Sequence, residues 1–187
     1  WYDNVKPPSE EDLELVDKLV ETFDEESTKH EMKVQRFIND LHGKDLLMQY
    51  LYSTTLNIDG IWGVYTGPGT KTVLPHKITV KMDIRLVPNQ SPEEVVPKIR
   101  KHLDKYGYND VIVRSIDPYD WSKTNVKDSI VQATIKAYRR LGYEPEIWPM
   151  NASSVPYYLF NRKPLQLPFI DAGLGYGARA HAPDEYF

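Results

Sequence analysis

Two positions carry side chains that could bind a carboxylate. Arg85 lies on the polar face of a strongly alternating segment, and a guanidinium can hold a carboxylate through two parallel hydrogen bonds. Taken alone, the same pattern is also typical of a solvated surface charge. Ser154 follows Asn151 and Ser153 just before a predicted helix that begins near Val155. Such residues either cap the helix or, because a helix N-terminus attracts anions, hold a substrate carboxylate or a developing oxyanion.

A candidate metal ligand lies near the end of the sequence. His181 follows a glycine-rich run and precedes Glu185 by four positions, and imidazole is the commonest zinc-binding side chain. One histidine with neighbouring carboxylates does not complete a zinc site, and a lone loop histidine is more often incidental. The remaining histidines have no spacing that would supply the missing ligands; they are His30, His42, His76 and His102.

The segment YTGPGTKTVLP combines two glycines with the threonines Thr70 and Thr72. Glycine lets the backbone approach a ligand closely, but the same composition is typical of an ordinary turn. The lysine and hydroxyl spacing of a nucleotide-binding loop is missing, and no helix is predicted to follow. We therefore exclude nucleotide binding at this loop.

The composition narrows the classes of function. The 187 residues carry a net charge of -4 with no basic stripe, which argues against nucleic acid as a partner. No stretch approaches the roughly 20 apolar residues that a membrane helix needs. The sequence contains no cysteine, which suits a reducing compartment, so we expect a cytoplasmic location. Because the first residue is Trp1, we also expect the chain to be part of a longer protein.

Helices and strands are predicted to alternate along the first part of the chain. Ser9 with Asp12 predicts a helix start, and alternation over 76–88 predicts a strand with one buried apolar face and one polar face. The other elements predicted there are the rest of the first helix over 10–24, a helix over 30–43, a strand beginning near 53, a helix over 92–107 that starts at Ser91 and Pro92, and a strand over 110–116.

The segment DPYDWSKTN has the composition of a linker, so we place a domain boundary near Asp117. The second unit is predicted to contain a helix over 126–142, a strand over 144–149, a helix after Ser154, a strand over 164–170 and a glycine-rich loop.

The segment GIWGVYTGPGTKTVLPHKITVKMDIRLVPNQSPEEVV resembles the lid-domain signature of a zinc-dependent metallopeptidase family. This family includes carnosinases or cytosolic nonspecific dipeptidases, aminoacylases, acetylornithine deacetylases and succinyl-diaminopimelate desuccinylases. The Ser-Val-Pro at 154–156 and the AHAPDE at 180–185 recur in the family's order. The resemblance implies an α+β fold: a two-layer lid (dimerisation) domain over 1–116, with an antiparallel sheet and helices on one face, and part of an α/β catalytic domain over 117–187.

The resemblance also implies a function. Members of this family use two divalent ions, zinc or manganese, to hydrolyse dipeptides or N-acyl amino acids next to a free carboxylate. By position, Thr72, Arg85 and Ser154 would bind substrate and His181 would be a metal ligand, whereas the general base and the other ligands would precede this chain. The chain would then contain no catalytic residue and be inactive alone, and its lid would form a homodimer. The sequence reads NASS where the family has paired glycines, which leaves the substrate preference open.

Two other interpretations remain. A non-catalytic dimerisation or binding module could have kept the lid without the chemistry, and the sequence upstream of this chain would distinguish it from the enzyme. Alternatively, the chain could be an unrelated α+β protein whose similarity is accidental. This interpretation predicts that Arg85, Ser154 and His181 do not lie close together.

Overall fold

The computed structural model describes residues 5–173, 177 and 183–186. It contains helices and one antiparallel sheet of two strands, which confirms the α+β class. In chain order the elements are α1 (Glu10–Thr22), α2 (Glu25–Met32), a 3₁₀-helix (Ile38–Asp40), α3 (Gly43–Tyr52), β1 (Thr55–Trp62), β2 (Thr79–Arg85), α4 (Pro92–Lys105), α5 (Ser129–Arg140) and α6 (Tyr158–Asn161).

The first helix begins where the sequence predicts. Ser9 Oγ accepts a hydrogen bond from the Asp12 backbone N–H, and Asp12 Oδ2 accepts one from the Ser9 backbone N–H, each at 3.2 Å. This reciprocal capping box satisfies two N–H groups that the start of a helix would otherwise leave unpaired. The helix then buries Leu15, Val16 and Leu19 on one face.

The helix predicted over 30–43 is wrong. Helix α2 ends at Met32, and Lys33 adopts a left-handed conformation with φ of 54°. Gly43 begins α3 instead of ending a helix, because its N–H donates to the Glu25 carboxylate at 2.6 Å. An acidic group at this end of a helix interacts favourably with the exposed N–H groups there. The apolar residues of this segment are not buried, and Ile38 is 63% exposed.

Helices α1 and α3 pack against each other and form what we call the helical layer. Its core is apolar and almost completely shielded from solvent. Partly buried side chains extend this core, among them Met150 from a distant part of the sequence. The core residues are Val16, Leu19, Leu47, Leu51 and Tyr52.

A partly buried ion pair connects the helical layer to the segment after residue 117. Lys123 Nζ donates a hydrogen bond to Asp12 Oδ2 and lies 5.7 Å from the centre of the Tyr52 ring. Burial opposes ionisation of Asp12, but the hydrogen bonds from Lys123 and Ser9 outweigh it, and the Asp12 pKa lies below its ordinary value. Burial, together with the nearby Asp12 carboxylate, raises the pKa of Tyr52.

The two predicted strands form and pair antiparallel, with a register irregularity between Ile58 and Gly60. Leu56 pairs with Ile84 and Ile58 with Met82, so apolar side chains from both strands share one face. The prediction that this face is buried is wrong for the described chain. Exposed fractions are 60% for Ile58 and 52% for Met82.

Helices α4 and α5 confirm the predictions for their segments, α4 with Pro92 in its first turn. Three further strand predictions are wrong, because the structure has no strand over 110–116, 144–149 or 164–170. A strand persists only where a neighbour completes its hydrogen bonds. Within the described ranges, β1 and β2 pair only with each other.

Contacts cross the predicted boundary near residue 117. Thr22 Oγ1 donates to a carboxylate oxygen of Glu146 at 2.7 Å, and the Phe23 and Trp148 rings meet edge to face at 6.1 Å. The helical layer therefore packs on the later part of the chain, and the division into 1–116 and 117–187 stays a prediction. Among the described helices, none is long and apolar enough to cross a membrane.

Candidate functional site

Arg85 is the last residue of β2 and reaches across to the later part of the chain. Its Nη1 donates to the backbone carbonyl of Ala152 at 3.2 Å, over a sequence separation of 67 residues. Its Nε donates to Asp83 Oδ2 at 2.7 Å, which fixes the direction of the guanidinium. The side chain remains 41% exposed, so donor groups are accessible to a ligand.

The NASS segment is a tight turn and not a helix start. Asn151 Oδ1 accepts hydrogen bonds from the Ser153 backbone N–H at 2.9 Å and from Ser153 Oγ at 2.8 Å. Helix α6 begins only at Tyr158, and no side chain caps it. The prediction that Ser154 precedes a helix beginning near Val155 is therefore wrong, and capping does not explain this serine.

The hydroxyl group of Ser154 is paired with that of Tyr119, a residue that the sequence analysis did not select. The Tyr119 ring stacks on Tyr158 with centroids 5.7 Å apart and planes inclined by 13°. Arg85 contacts Ala152, two residues before Ser154, and Ser154 contacts Tyr119, so these three side chains lie together along one broad open surface, which we call the groove. The structure thus brings two predicted substrate-binding residues, Arg85 and Ser154, to one surface.

Thr72 lies apart from that surface. It belongs to the exposed loop that joins β1 to β2, and it is not among the described residues that line the groove. The base of the loop is constrained at Gly63, where φ is 98° and a Cβ would lie 2.3 Å from the Lys77 carbonyl oxygen. Within the loop, Leu74 is 88% exposed. The substrate-binding role of Thr72 therefore stays a prediction.

His181 lies outside the described residues. Within the part of the chain that the structure describes, no group of three or more histidine, cysteine, aspartate or glutamate side chains could hold a metal ion. The described residues thus do not fit a bound metal on their own.

A second set of contacts stabilises the turn that follows β2, and sequence reasoning missed it. Trp121 Nε1 donates to the Gln90 carbonyl oxygen at 3.0 Å, and the Arg162 guanidinium lies 4.1 Å from the centre of the Trp121 ring. Gln90 is buried and accepts through Oε1 from the Val87 N–H at 3.1 Å. The segment that contains Tyr119 and Trp121 has the composition of a linker, which concealed both residues. An aromatic pair within an otherwise polar linker is the signal that could have identified them.

Comparisons with known proteins agree with this architecture. Residues 13–111 match the M20_dimer family, described as peptidase dimerisation domain. The chain is 35% identical over 104 residues to the rat Beta-Ala-His dipeptidase, covering 55% of this chain and 20% of the relative. It is 29% identical over 153 residues to the human Beta-Ala-His dipeptidase, covering 78% of this chain and 29% of the relative.

Among solved structures, the chain is similar to an M20 family metallo-carboxypeptidase from Sulfolobus solfataricus. The TM-score is 0.78 at 32% identity, and the match covers 89% of this chain and 43% of that one. The chain therefore spans less than half of the solved structure and 20% to 29% of the two dipeptidases.

Proposed function

Because the chain belongs to the M20 peptidase family, whose dimerisation domain it contains, we propose that it is part of a metal-dependent hydrolase. The intact protein would cleave dipeptides or N-acyl amino acids next to a free carboxylate. The observation that carries this proposal is the contact between Arg85 and the Ala152 carbonyl, which brings a guanidinium to the groove that Ser154 also lines. A guanidinium and a hydroxyl directed to one surface suit a carboxylate ligand.

The role of this chain in the proposed reaction is substrate binding. Arg85 would donate to the substrate carboxylate, with Ser154 as a second donor. Following the resemblance, Thr72 would contact the substrate and His181 would bind a metal ion. Two divalent ions, zinc or manganese, belong to the proposal, but no cluster within the described residues fits them. We accordingly propose that the 187-residue chain alone does not turn over substrate.

We further propose that the intact protein is a cytoplasmic homodimer that pairs through the lid domain. The match to a dimerisation domain supports the pairing, and the absence of cysteine from the sequence supports the location.

The test uses the full-length protein, loaded with zinc or manganese, on a panel of dipeptides and N-acyl amino acids. We expect metal-dependent hydrolysis. Arg85→Ala should raise KM for carboxylate-bearing substrates about 10- to 100-fold, because a charge-assisted hydrogen bond contributes about 1.5–3 kcal/mol. Arg85→Lys should recover only part of this loss, since lysine lacks the planar fork.

Two controls make the result specific. Arg36→Ala removes an exposed arginine that pairs with Asp40 and is not among the groove-lining residues, so it should leave KM unchanged. Dipeptides with an amidated C-terminus should be cleaved poorly by the unmodified protein and lose little more with Arg85→Ala. Absence of turnover from a folded, metal-loaded protein would contradict the hydrolase and favour the non-catalytic dimerisation module.

A further inference from the structure

The groove beside Ser154 has an aromatic side that the proposed function does not use. Tyr119, the partner of Ser154, stacks on Tyr158, and the preceding residue, Tyr157, contacts Phe169; we call Tyr119, Tyr157 and Phe169 the aromatic wall. The Tyr157 and Phe169 rings lie 4.1 Å apart between centroids, inclined by 35°. Aromatic rings in such pairs present a broad, apolar and polarisable surface to a ligand.

The wall is supported from behind. The Tyr119 ring stacks on Tyr158, which does not line the groove, and the Phe169 ring stacks on Phe160 at 5.2 Å. The backbone N–H of Phe169 donates to Thr124 Oγ1 at 3.0 Å. The rings are therefore held in position before any ligand arrives, which lowers the entropic cost of binding.

Geometry links the wall to the proposed carboxylate site. The Tyr119 hydroxyl is paired with the Ser154 hydroxyl, so a carboxylate held at Ser154 would lie beside the Tyr119 ring. In a peptide, the α-carbon that bears the C-terminal side chain is bonded directly to the carboxylate carbon. The side chain of the C-terminal residue would consequently lie close to Tyr119, which is the member of the aromatic wall next to Ser154.

The charge near the wall argues against an acidic side chain at this place. The Tyr157 hydroxyl donates to Asp171 Oδ2 at 3.4 Å, and both residues line the groove. A second carboxylate close to Asp171 would be repelled. An uncharged, apolar side chain avoids this cost and gains from desolvation of the rings.

We propose that the aromatic wall is a subsite for an aromatic or large aliphatic side chain on the carboxylate-bearing residue, with Tyr119 as its specificity-determining residue. This inference rests on the proposed function, because it assumes that the carboxylate lies between Arg85 and Ser154. It predicts a preference among substrates that the family assignment does not specify.

The first experiment compares kcat/KM of the metal-loaded full-length protein for Ala-Phe, Ala-Leu and Ala-Gly. The unmodified protein should prefer Ala-Phe and Ala-Leu to Ala-Gly by tenfold or more. Tyr119→Ala should reduce the Phe-to-Gly ratio by about three- to tenfold, the effect of losing one aromatic contact. A ratio near one in the unmodified protein, with hydrolysis intact, overturns the subsite and leaves the proposed function standing.

Two further variants distinguish the contribution of the Tyr119 ring from that of its hydroxyl group. Tyr119→Phe should weaken all carboxylate-bearing substrates alike and keep the Phe-to-Gly ratio, because only the partner of Ser154 is lost. Tyr119→Leu should keep the fold and the preference for Ala-Leu while lowering that for Ala-Phe. Tyr143→Ala is the matched control, since Tyr143 is 61% exposed and does not line the groove. Equal losses for Ala-Phe and Ala-Gly with Tyr119→Ala would contradict a role in specificity.

A binding measurement tests the subsite without turnover. Calorimetry on the full-length protein should show tighter binding of L-phenylalanine than of L-alanine, and weaker binding of L-phenylalaninamide. Tyr119→Ala should remove the difference between phenylalanine and alanine. If no peptide is cleaved but this difference exists and depends on Tyr119, the proposed hydrolase fails and the subsite stands. Equal affinity for phenylalanine and alanine overturns the subsite.

Discussion

In the helical layer, Val16 and Leu47 have no exposed surface, whereas in the sheet Ile58 and Met82 expose 60% and 52%. Both regions show clear apolar patterns in the sequence. The difference is that α1 and α3 supply each other's partner surface, while the apolar face of the two strands lacks one among the described residues. An amphipathic pattern thus indicates that burial of one face is favourable, but whether the face is buried depends on the elements that surround it.

The largest effect in this comparison is expected for Leu47→Ala. Leu47 is fully buried between α1 and α3, so truncation leaves a cavity and should lower the free energy of unfolding by about 2–5 kcal/mol. Urea unfolding followed by circular dichroism measures the change. A loss below about 1 kcal/mol would show that the helical layer is loosely packed and would remove the contrast with the sheet.

A smaller loss is expected when the ion pair on the helical layer is broken. Lys123→Met keeps the aliphatic length beside Tyr52 but leaves Asp12 buried without its charged partner, which should cost about 1.5–3 kcal/mol. Lys44→Met is the matched control, because it removes an exposed pair with Asp17 and should cost at most about 1 kcal/mol. Equal losses in the two variants would mean that the Asp12 pair is effectively solvated.

The same pair predicts a dependence of stability on pH. The Asp12 pKa is lowered in the folded chain, so below about 3.9, the ordinary aspartate value, the unfolded chain binds the proton more readily. Asp12 therefore contributes stability above that pH, and the contribution is lost as pH falls through the folded pKa. Urea unfolding at pH 6 and pH 3 should show a smaller pH difference for Asp12→Asn than for the unmodified chain. An unchanged difference would assign the acid sensitivity to other carboxylates.

The smallest effect is expected on the apolar face of the sheet. Ile58→Thr keeps a β-branched side chain, and in the 187-residue chain it should change the free energy of unfolding by no more than about 0.5 kcal/mol. The same substitution in the full-length protein tests whether that face gains a cover. A loss of 1 kcal/mol or more in the full-length protein alone would locate the cover outside the described residues. A large loss already in the short chain would contradict the exposure of Ile58.

Local signals predicted much of the fold. The capping box of Ser9 and Asp12, the alternation along β2 and the start of α4 at Pro92 each depend on residues close in sequence. The prediction of a helix over 30–43 failed because the carboxylate of Glu25, 18 residues before Gly43, fixes where α3 begins. The three wrong strand predictions have another cause. A strand forms only beside a neighbouring strand, and periodicity does not reveal whether one is present.

The candidate site shows the same limit. Arg85 and Ser154 were selected from residue type and resemblance, but Tyr119 and Trp121 were not, since their segment resembles a linker. Their partners are distant in sequence: Ser154 for Tyr119, Gln90 and Arg162 for Trp121.

The sequence by itself determined the family and the α+β class, through its resemblance to the lid-domain signature. It also determined the positions of α1, α4 and α5 and of the strands β1 and β2, because these elements depend on local hydrogen bonding and periodicity. The tertiary structure alone decided that Arg85 reaches Ala152, that Ser154 is paired with Tyr119, and that the aromatic wall borders the same groove. Those contacts join residues tens of positions apart. Their formation depends on how packed elements meet in space, which no local pattern encodes.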